Sequence, residues 1–539
     1  MIIRKNKEKT KEQFLKGKLT EIEIITPNVA DRVLVSADKN LDLERIMEES
    51  LDCKTHEDGM KTSLFLYSLL SAKLKRLFSI TESVVSLTAV ELVKKFDINI
   101  ATKKEVMSEG NMRLFLKKIT TTEEVTQEEI DQKYQNNVIK NAKKKKEENK
   151  KTEDKNDIKQ QLQTKKNRTV LVNFFNAVMS KLLSQKKSQE DSAIHILDCV
   201  KIPVTLSNTN YELSTVIKYE GKQMRGYKMG VLRRITDFGG VIEYLINGTM
   251  SDNDMALTKD KVIDYDGFQR GDYLIADRGF ACLEFIKKMV NKGINVIIPV
   301  KKNMDIFNET MKQAKKLKEC DWQEHPNIKR KGQSITLIKD LKGTWLDEKE
   351  RNKKPEKALA SALDFSACVV RIDKDTNKDI VESSNNAEDE TDIMYEDEKY
   401  IYIVIVSTNT NLKASEIIHY YELRPEIEED FRQLKDIWKM CTFTSTKYNM
   451  IMCQIVMTIL AYNLFNLYKN TKDGSKYISK SMRKIANEEK RDRYSFDEIS
   501  YLILCGKTYC FIEGIELLDL YADCSDEIRK RIRPLLSRY

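Results

Sequence analysis

The chain has 539 residues, with 93 Lys and Arg against 84 Asp and Glu, a formal net charge of +9. That length leaves room for about three or four domains, and the small positive balance favours a polyanionic partner without naming one. With no apolar leader in MIIRKNKEK, ten cysteines but no CxxC pair, and only four histidines, the composition argues against a secreted disulfide scaffold, a zinc finger and a His-driven triad. Carboxylates are left to carry any chemistry. Reduced, buried thiols predict a cytoplasmic protein. The longest apolar run, CQIVMTILAYNLFNLY, is broken by Gln454, Thr458, Asn463 and Asn466 and falls short of the ~18 residues that would predict a membrane span.

Residues 1–138 read as a helical N-terminal region. Apolar residues in LFLYSLLSAKLKRLF recur at three- and four-residue spacing, with Lys73, Lys75, Arg76, Lys94 and Lys95 on polar faces. This could be a DNA-binding helical domain, although an ordinary solvated helix face explains the same charges more simply. Residues 139–168, which include AKKKKEENKKTEDKNDIKQQLQTKK, have almost no apolar positions and read as a charged, flexible or solvated-helical linker.

From 169 to 303 the pattern changes to alternating strands and helices. A helix, VLVNFFNAVMSKLL, is followed by the strand IHILDCVKIPV, then by strands at YKMGVLRRI and VIEYLINGT with Gly239 and Gly240 as the turn. A short helix leads into DYLIADRGF. The helix CLEFIKKMVNKG then stops at a glycine before the strand NVIIPVKKN. Three strands, a helix, a strand, a helix and a strand predict an α/β sheet, antiparallel at first and parallel later. Residues 304–399 form a strand-rich insertion that ends in an acidic loop, and 400–475 resume the core with YIYIVIVST and a long helical stretch. Residues 476–539 read as a helical C-terminal region with a basic amphipathic finish.

Two aspartates stand at the ends of buried apolar runs, Asp198 in IHILDCV and Asp277 in YLIADRGF. A charge there is costly unless it is paired, hydrogen-bonded or bound to metal. One such residue is most simply a cap. Two in one sheet suggest more, because neighbouring strands bring their ends to a common edge. In HYYELRPEIEEDFRQLKDIW, Tyr421, Arg424, Glu428, Phe431 and Lys435 follow helical steps and make a mostly polar stripe. An exposed ion-pair ladder would look the same. Pro425 disfavours α geometry at Arg424, which predicts a kink or a restart there.

Tyr421-x2-Arg424-x3-Glu428-x6-Lys435 resembles the signature of the IS4-family DDE transposases, and DRGF at Asp277 and DCVKIPV at Asp198 are similar to that family's other catalytic blocks. The resemblance spans roughly residues 170–470. It implies an RNase H-like mixed sheet with helical flanking regions, in which Asp198, Asp277 and Glu428 are catalytic and bind two Mg²⁺ or Mn²⁺ ions. Hard oxygen ligands suit those ions. It also implies that Tyr421, Arg424 and Lys435 contact DNA phosphates. Arg278, Lys301 and Lys302 lie close enough in sequence to the same edge to hold phosphate, or to serve as surface counter-charges. Trp345, and after it Trp322, are candidates to stack on a base flipped from the DNA end, although packing within the insertion accounts for either. Cys199 and Pro425 depart from the residues common in the family.

The activity implied is that of an insertion-sequence transposase. It would bind terminal inverted repeats and target DNA as a homodimer, cut and join double-stranded DNA, pass or not pass through hairpin ends, and work on the bacterial nucleoid with no membrane partner. The alternatives are a transposase-derived DNA-binding protein with idle catalysis and a nuclease of the same fold.

Overall fold

The computed structural model describes residues 4–25, 28–51, 61–77, 79–84, 86–87, 92, 95, 108–120, 124–143, 155–184, 192–219, 221–236, 239–344, 362–377, 394–478, 480, 484 and 499–536. The chain divides into two compact units. One comprises residues 188–206 and 214–432, and the other residues 1–187, 207–213 and 433–539.

The first unit is built on a large mixed sheet. Strands β1 (Ile194–Val204), β2 (Thr215–Tyr219), β3 (Lys222–Thr236) and β4 (Gly239–Thr249) pair antiparallel. The long β3 carries β2 and β4 one after the other along one edge and β1 along the other. Helix α1 (Asp254–Ile263) then leads to β5 (Tyr273–Ala276), and α2 (Leu283–Asn291) leads to β6 (Asn295–Pro299). Strand β5 runs parallel to β1, and β6 parallel to β5. The spatial order β4-β3-β1-β5-β6 is three antiparallel strands followed by two parallel ones, the arrangement of the RNase H-like fold. The alternation read from the sequence is observed with one addition, the short strand β2 between the first two expected strands. The supposed turn glycines are a detail that differs, since Gly239 and Gly240 already pair with Thr236 and Ile235 inside β4.

Local chemistry explains the boundaries. Asn253 caps α1 by accepting from the amides of Met255 and Ala256. Helix α2 buries Phe285, Ile286 and Met289 on one face and ends before Gly293, whose φ of +82° supplies the left-handed residue that closes it. These side chains join Leu197, Leu232, Leu274, Ala276, Val296 and Ile298 in one continuous core.

The 304–399 segment does not form a separate layer. After α3 (Asp305–Ala314) come β7 (Gln323–Glu324), β8 (Gln333–Gly343), β9 (Leu363–Asp373), β10 (Met394–Glu396) and β11 (Tyr400–Ser407). Strand β11 pairs antiparallel with β6, and β9, β8 and β7 extend the same sheet outward. Residues 378–393, most of the predicted acidic loop, lie outside the described residues. Two helices close the unit, α4 (Ala414–Tyr421) and α5 (Pro425–Asp436).

The second unit is mainly helical. Its core helix, Tyr448–Lys469, has a window of mean hydropathy 1.6 that is 89% buried. Among the described residues it is the one helix long and apolar enough to cross a membrane, and it packs against Thr62–Leu74 and Lys155–Ser184. The latter helix is continuous, so the second half of the predicted linker is helical, and 144–154 lie outside the described residues.

Both chain ends carry the expected helices and, in addition, a small sheet that the sequence reading did not include. Ser500–Cys505 and Thr508–Glu513 form an antiparallel hairpin, flanked by Glu21–Ile25 on one side and Arg4–Lys5 on the other. Alternation places Tyr501, Ile503 and Cys505 inside, and Gly506, at φ +58°, begins a two-residue loop that suits such a turn. The basic C-terminal helix Asp526–Leu536 packs on this small sheet through Ile528 and Ile532.

Beneath the large sheet, His195 is fully buried between two carboxylates. It contacts Glu243 through Nδ1 and lies 3.0 Å from Asp272 Oδ2 through Nε2. Asp272 also accepts from the amides of Ala193 and Gln269, and Tyr265 donates to Glu243 at 2.9 Å. Burial disfavours the charged imidazole, but Glu243 and Asp272 outweigh it and raise the His195 pKa above its ordinary value. A raised folded pKa gives stability that is fully present below the unfolded value near 6.5 and is lost as pH rises through the folded one. Replacing His195 with Gln is therefore expected to lower the thermal midpoint most at pH 5.5–6.5, with the gap to the parent protein shrinking toward pH 9. A gap that widens with pH would contradict a charged His195.

Candidate active site

Strand register places the two aspartates. In the parallel pairing of β1 with β5, Leu197 stands opposite Ala276, so the next positions, Asp198 and Asp277, are side by side. Strand β5 ends at Ala276, whereas β1 continues to Val204. Asp198 is thus a mid-strand residue exposed by the end of its neighbour, and Asp277 opens a short 3-10 turn, Arg278–Phe280.

The third carboxylate arrives on α5. The single helical stripe expected from Tyr421 to Lys435 is broken where proline predicts it. Tyr421 is the last residue of α4, Glu422–Arg424 turn, and Pro425 is the first residue of α5. A proline is tolerated there because its missing N–H would have had no intrahelical acceptor. The turn is closed by Leu423 N donating to Tyr420 O at 3.1 Å and Arg424 N to Tyr421 O at 3.0 Å.

The break sends Arg424 toward the sheet. Its Nη2 lies 3.3 Å from Asp198 Oδ2 and 3.9 Å from Asp277 Oδ2, and its Nη1 lies 2.7 Å from Glu428 Oε1. Three carboxylates therefore converge on one guanidinium, whose buried Nε has no hydrogen-bond partner among the described residues. Asp198 is the most enclosed of the three, with a side chain 16% exposed against 37% for Asp277 and 53% for Glu428. Burial pushes its carboxyl up to about 6, helped by Asp277 and Glu428, while Arg424 and the Cys199 amide, 2.7 Å from Oδ1, pull the other way. A single arginine does not balance three acids. The site is short of positive charge, and its donors are all hard oxygens, a chemistry that fits divalent cations of the Mg²⁺ class. As arranged around Arg424, no group of three Asp, Glu, His or Cys among the described residues stands at metal-ligand spacing.

The other expected residues distribute unevenly. Tyr421 borders the cluster, and burial, together with Asp277 and Glu428, raises its phenol pKa against the pull of Arg424 and Arg278. Arg278 follows Asp277 in the 3-10 turn. Lys435 is in the last turn of α5. Lys301 and Lys302 follow the end of β6, Lys301 half-buried and Lys302 exposed. Trp322 is not aimed at the carboxylates. It packs under the Arg371 guanidinium, 4.3 Å from its ring centre, beside Tyr402. Trp345 lies outside the described residues. The sequence reading missed that Arg424 would pair with all three acids. Its i,i+4 relation to Glu428 was visible, but the approach to Asp198 and Asp277 is tertiary.

The fold is α/β and RNase H-like, and acids from two sheet strands and one helix meet at one edge of its sheet. Residues 200–464 match the family model of the transposase DDE domain, a span that contains Asp277, Tyr421, Arg424, Glu428 and Lys435 and starts just after Asp198. This part of the chain is similar to the DDE domain of transposases, a family whose general activity is polynucleotidyl transfer. No curated protein matches the chain. Among solved structures, the cryo-EM structure of a piggyBac transposase synaptic complex with hairpin DNA is similar at 10% identity and a TM-score of 0.39, over 85% of this chain and 78% of that one.

The crowding of acids has a measurable consequence. A carboxyl raised to about 6 in the folded chain is ionised at a cost that is absent below its unfolded pKa and complete above the folded one. Asp198→Asn removes that cost and is expected to stabilise the metal-free protein, by on the order of 2–3 kcal/mol before solvent screening reduces it. The gain is expected at pH 7–8 and should vanish near pH 4 in denaturant titrations. Equal stability of the two proteins at pH 8 would count against the crowding.

Proposed function

We propose that the protein is a DNA transposase of the IS4 type, which binds the terminal inverted repeats of its element, cleaves the ends and joins them to target DNA. What carries this reading is one observation: Asp198, Asp277 and Glu428 are gathered around a single guanidinium at the edge of an RNase H-like sheet. The DDE-domain match over the surrounding residues supports it.

Asp198 and Asp277 would hold divalent ions from the rigid sheet, and Glu428 would complete the ligand set from α5. Bound there, a pair of Mg²⁺ or Mn²⁺ ions supplies charge stabilisation to the attacking and leaving oxygens of an in-line displacement at phosphorus. Arg424 would fork across the oxygens of one phosphate, and Lys435 would contribute a point charge further along the strand. Tyr421 can donate its hydroxyl to the same backbone. Arg278, Lys301 and Lys302 would add positive charge near the acids, and if the ends pass through hairpins Trp345 remains the candidate to receive a flipped base, since Trp322 is already packed against Arg371. Pairing two transposon ends calls for two copies of the chain, a homodimer acting on nucleoid DNA in the cytoplasm.

The test is excision of the native element from a plasmid, followed by cleavage of labelled end duplexes by purified protein. Wild type is expected to excise and to cleave only with Mg²⁺ or Mn²⁺. Asp277→Asn and Glu428→Gln should lose about a hundredfold or more, since several kcal/mol of transition-state stabilisation depend on the ions. Cleavage that survives EDTA, or that Glu428→Gln performs like wild type, would refute the assignment. Binding of the ends without excision by any form would favour an idle, transposase-derived DNA-binding protein.

A further inference from the structure

Helix α5 must deliver Glu428 to a place fixed by the sheet, yet it restarts after the three-residue turn that ends α4 and does not continue that helix. Something else has to fix it. Arg233, in β3, is 5% exposed. Its Nε donates to Asp430 Oδ2 at 2.6 Å, and its Nη1 lies 2.8 Å from Glu426 Oε2, an ion pair without hydrogen-bond geometry. Glu426 and Asp430 are one helical turn apart on one face, and Glu428, two residues from each, lies roughly 200° round the helix, so one guanidinium holds α5 by the face opposite the catalytic position.

The surroundings are built for that grip. Arg233 pairs with Ile196 across the ladder, and Val231 pairs with Asp198. With a side-chain period of two, Arg233 and Asp198 therefore project from the same face of the sheet. Gly240 in β4 leaves room for the guanidinium, because a Cβ there would stand 1.9 Å from Arg233 Nη2. The β3–β4 register shifts beside this residue, from Leu232 opposite Tyr244 to Arg233 opposite Ile242. Bulges of this kind re-aim side chains next to functional sites. The skipped residue, Glu243, is the one that contacts His195.

We infer that Arg233 is a positioning residue. By clamping Glu426 and Asp430 it seats α5 on the sheet and sets Glu428 against Asp198 and Asp277. The inference rests on the reading of those three acids as the metal site. A planar fork serves two carboxylates at once, which a lysine ammonium on a flexible stem does less well.

Hydrogen exchange and Mn²⁺ binding, followed by electron paramagnetic resonance on the DNA-free full chain, test it. Arg233→Gln is expected to speed exchange of the α5 amides about tenfold or more while β1, β5 and β6 stay protected. It should also weaken Mn²⁺ binding about 10–100-fold, the usual effect of losing a group that orients a metal ligand. Arg233→Lys should fall between, and Gly240→Ala, which displaces the guanidinium, should resemble Arg233→Gln. If Arg233→Gln does not fold, Asp430→Asn, which leaves the Glu426 contact, gives the same comparison. Unchanged α5 exchange, a uniform rise across the unit, or unchanged Mn²⁺ affinity with a lowered melting point would overturn the positioning role. If wild type takes up no Mn²⁺, the metal reading fails, and the exchange data alone then decide whether the clamp exists.

Discussion

The parallel pairing of β1 with β5 is the constraint on which the site depends. It sets Asp198 beside Asp277 by register, with no loop involved, and places them where β5 stops and the backbone of β1 is uncovered. A one-residue slip would turn Asp198 to the opposite face and put a leucine in its place. The pairing is itself secured from below, because Asp272 at the mouth of β5 accepts from Ala193 at the mouth of β1 and holds His195. Buried charge at one end of the strand pair thus fixes the register that creates buried charge at the other.

The electrostatics follow from that placement. Asp198 is enclosed, Asp277 and Glu428 approach it, and Arg424 is the cation they share. Such an arrangement is poor for stability, since burial and like charge both penalise the ionised acids. It is suited to a site that gains divalent cations, because three hard-oxygen acids are held near one another with one guanidinium as their shared counter-charge. Pro425 makes this possible. A continuous helix through Arg424 would keep it on the Tyr421–Glu428 stripe, whereas the break turns it to the sheet.

Much of this was legible in the sequence, and the limits are physical. The order of strands and helices from 194 to 299 follows from periodicity, and the two aspartates stand out because charges at the ends of apolar runs need a reason. The helix restart at Pro425 follows from the ring's fixed geometry. The hairpin at 500–513 was readable too, since YLILC and TYCFI flank a Gly-Lys loop, but the amphipathic EIRKRIRPLL that follows pulled the whole segment toward helix. What local pattern could not give is long-range: the contacts of Arg424 with acids far back in the chain, the pairing of Arg4–Lys5 with Thr508–Tyr509, and the joining of β8 and β9 to the central sheet. Arg233 left a signal that went unused, two consecutive arginines after the apolar run MGVL of β3, and its partners lie almost two hundred residues away.

The most direct test of the account is a crystal structure of the protein grown with Mn²⁺, read by anomalous scattering. Two peaks about 4 Å apart, ligated by Asp198, Asp277 and Glu428, with the Arg424 guanidinium turned out of hydrogen-bonding range of all three, is the predicted result. No anomalous density at the carboxylates under saturating Mn²⁺, with Arg424 still paired to them, would contradict it.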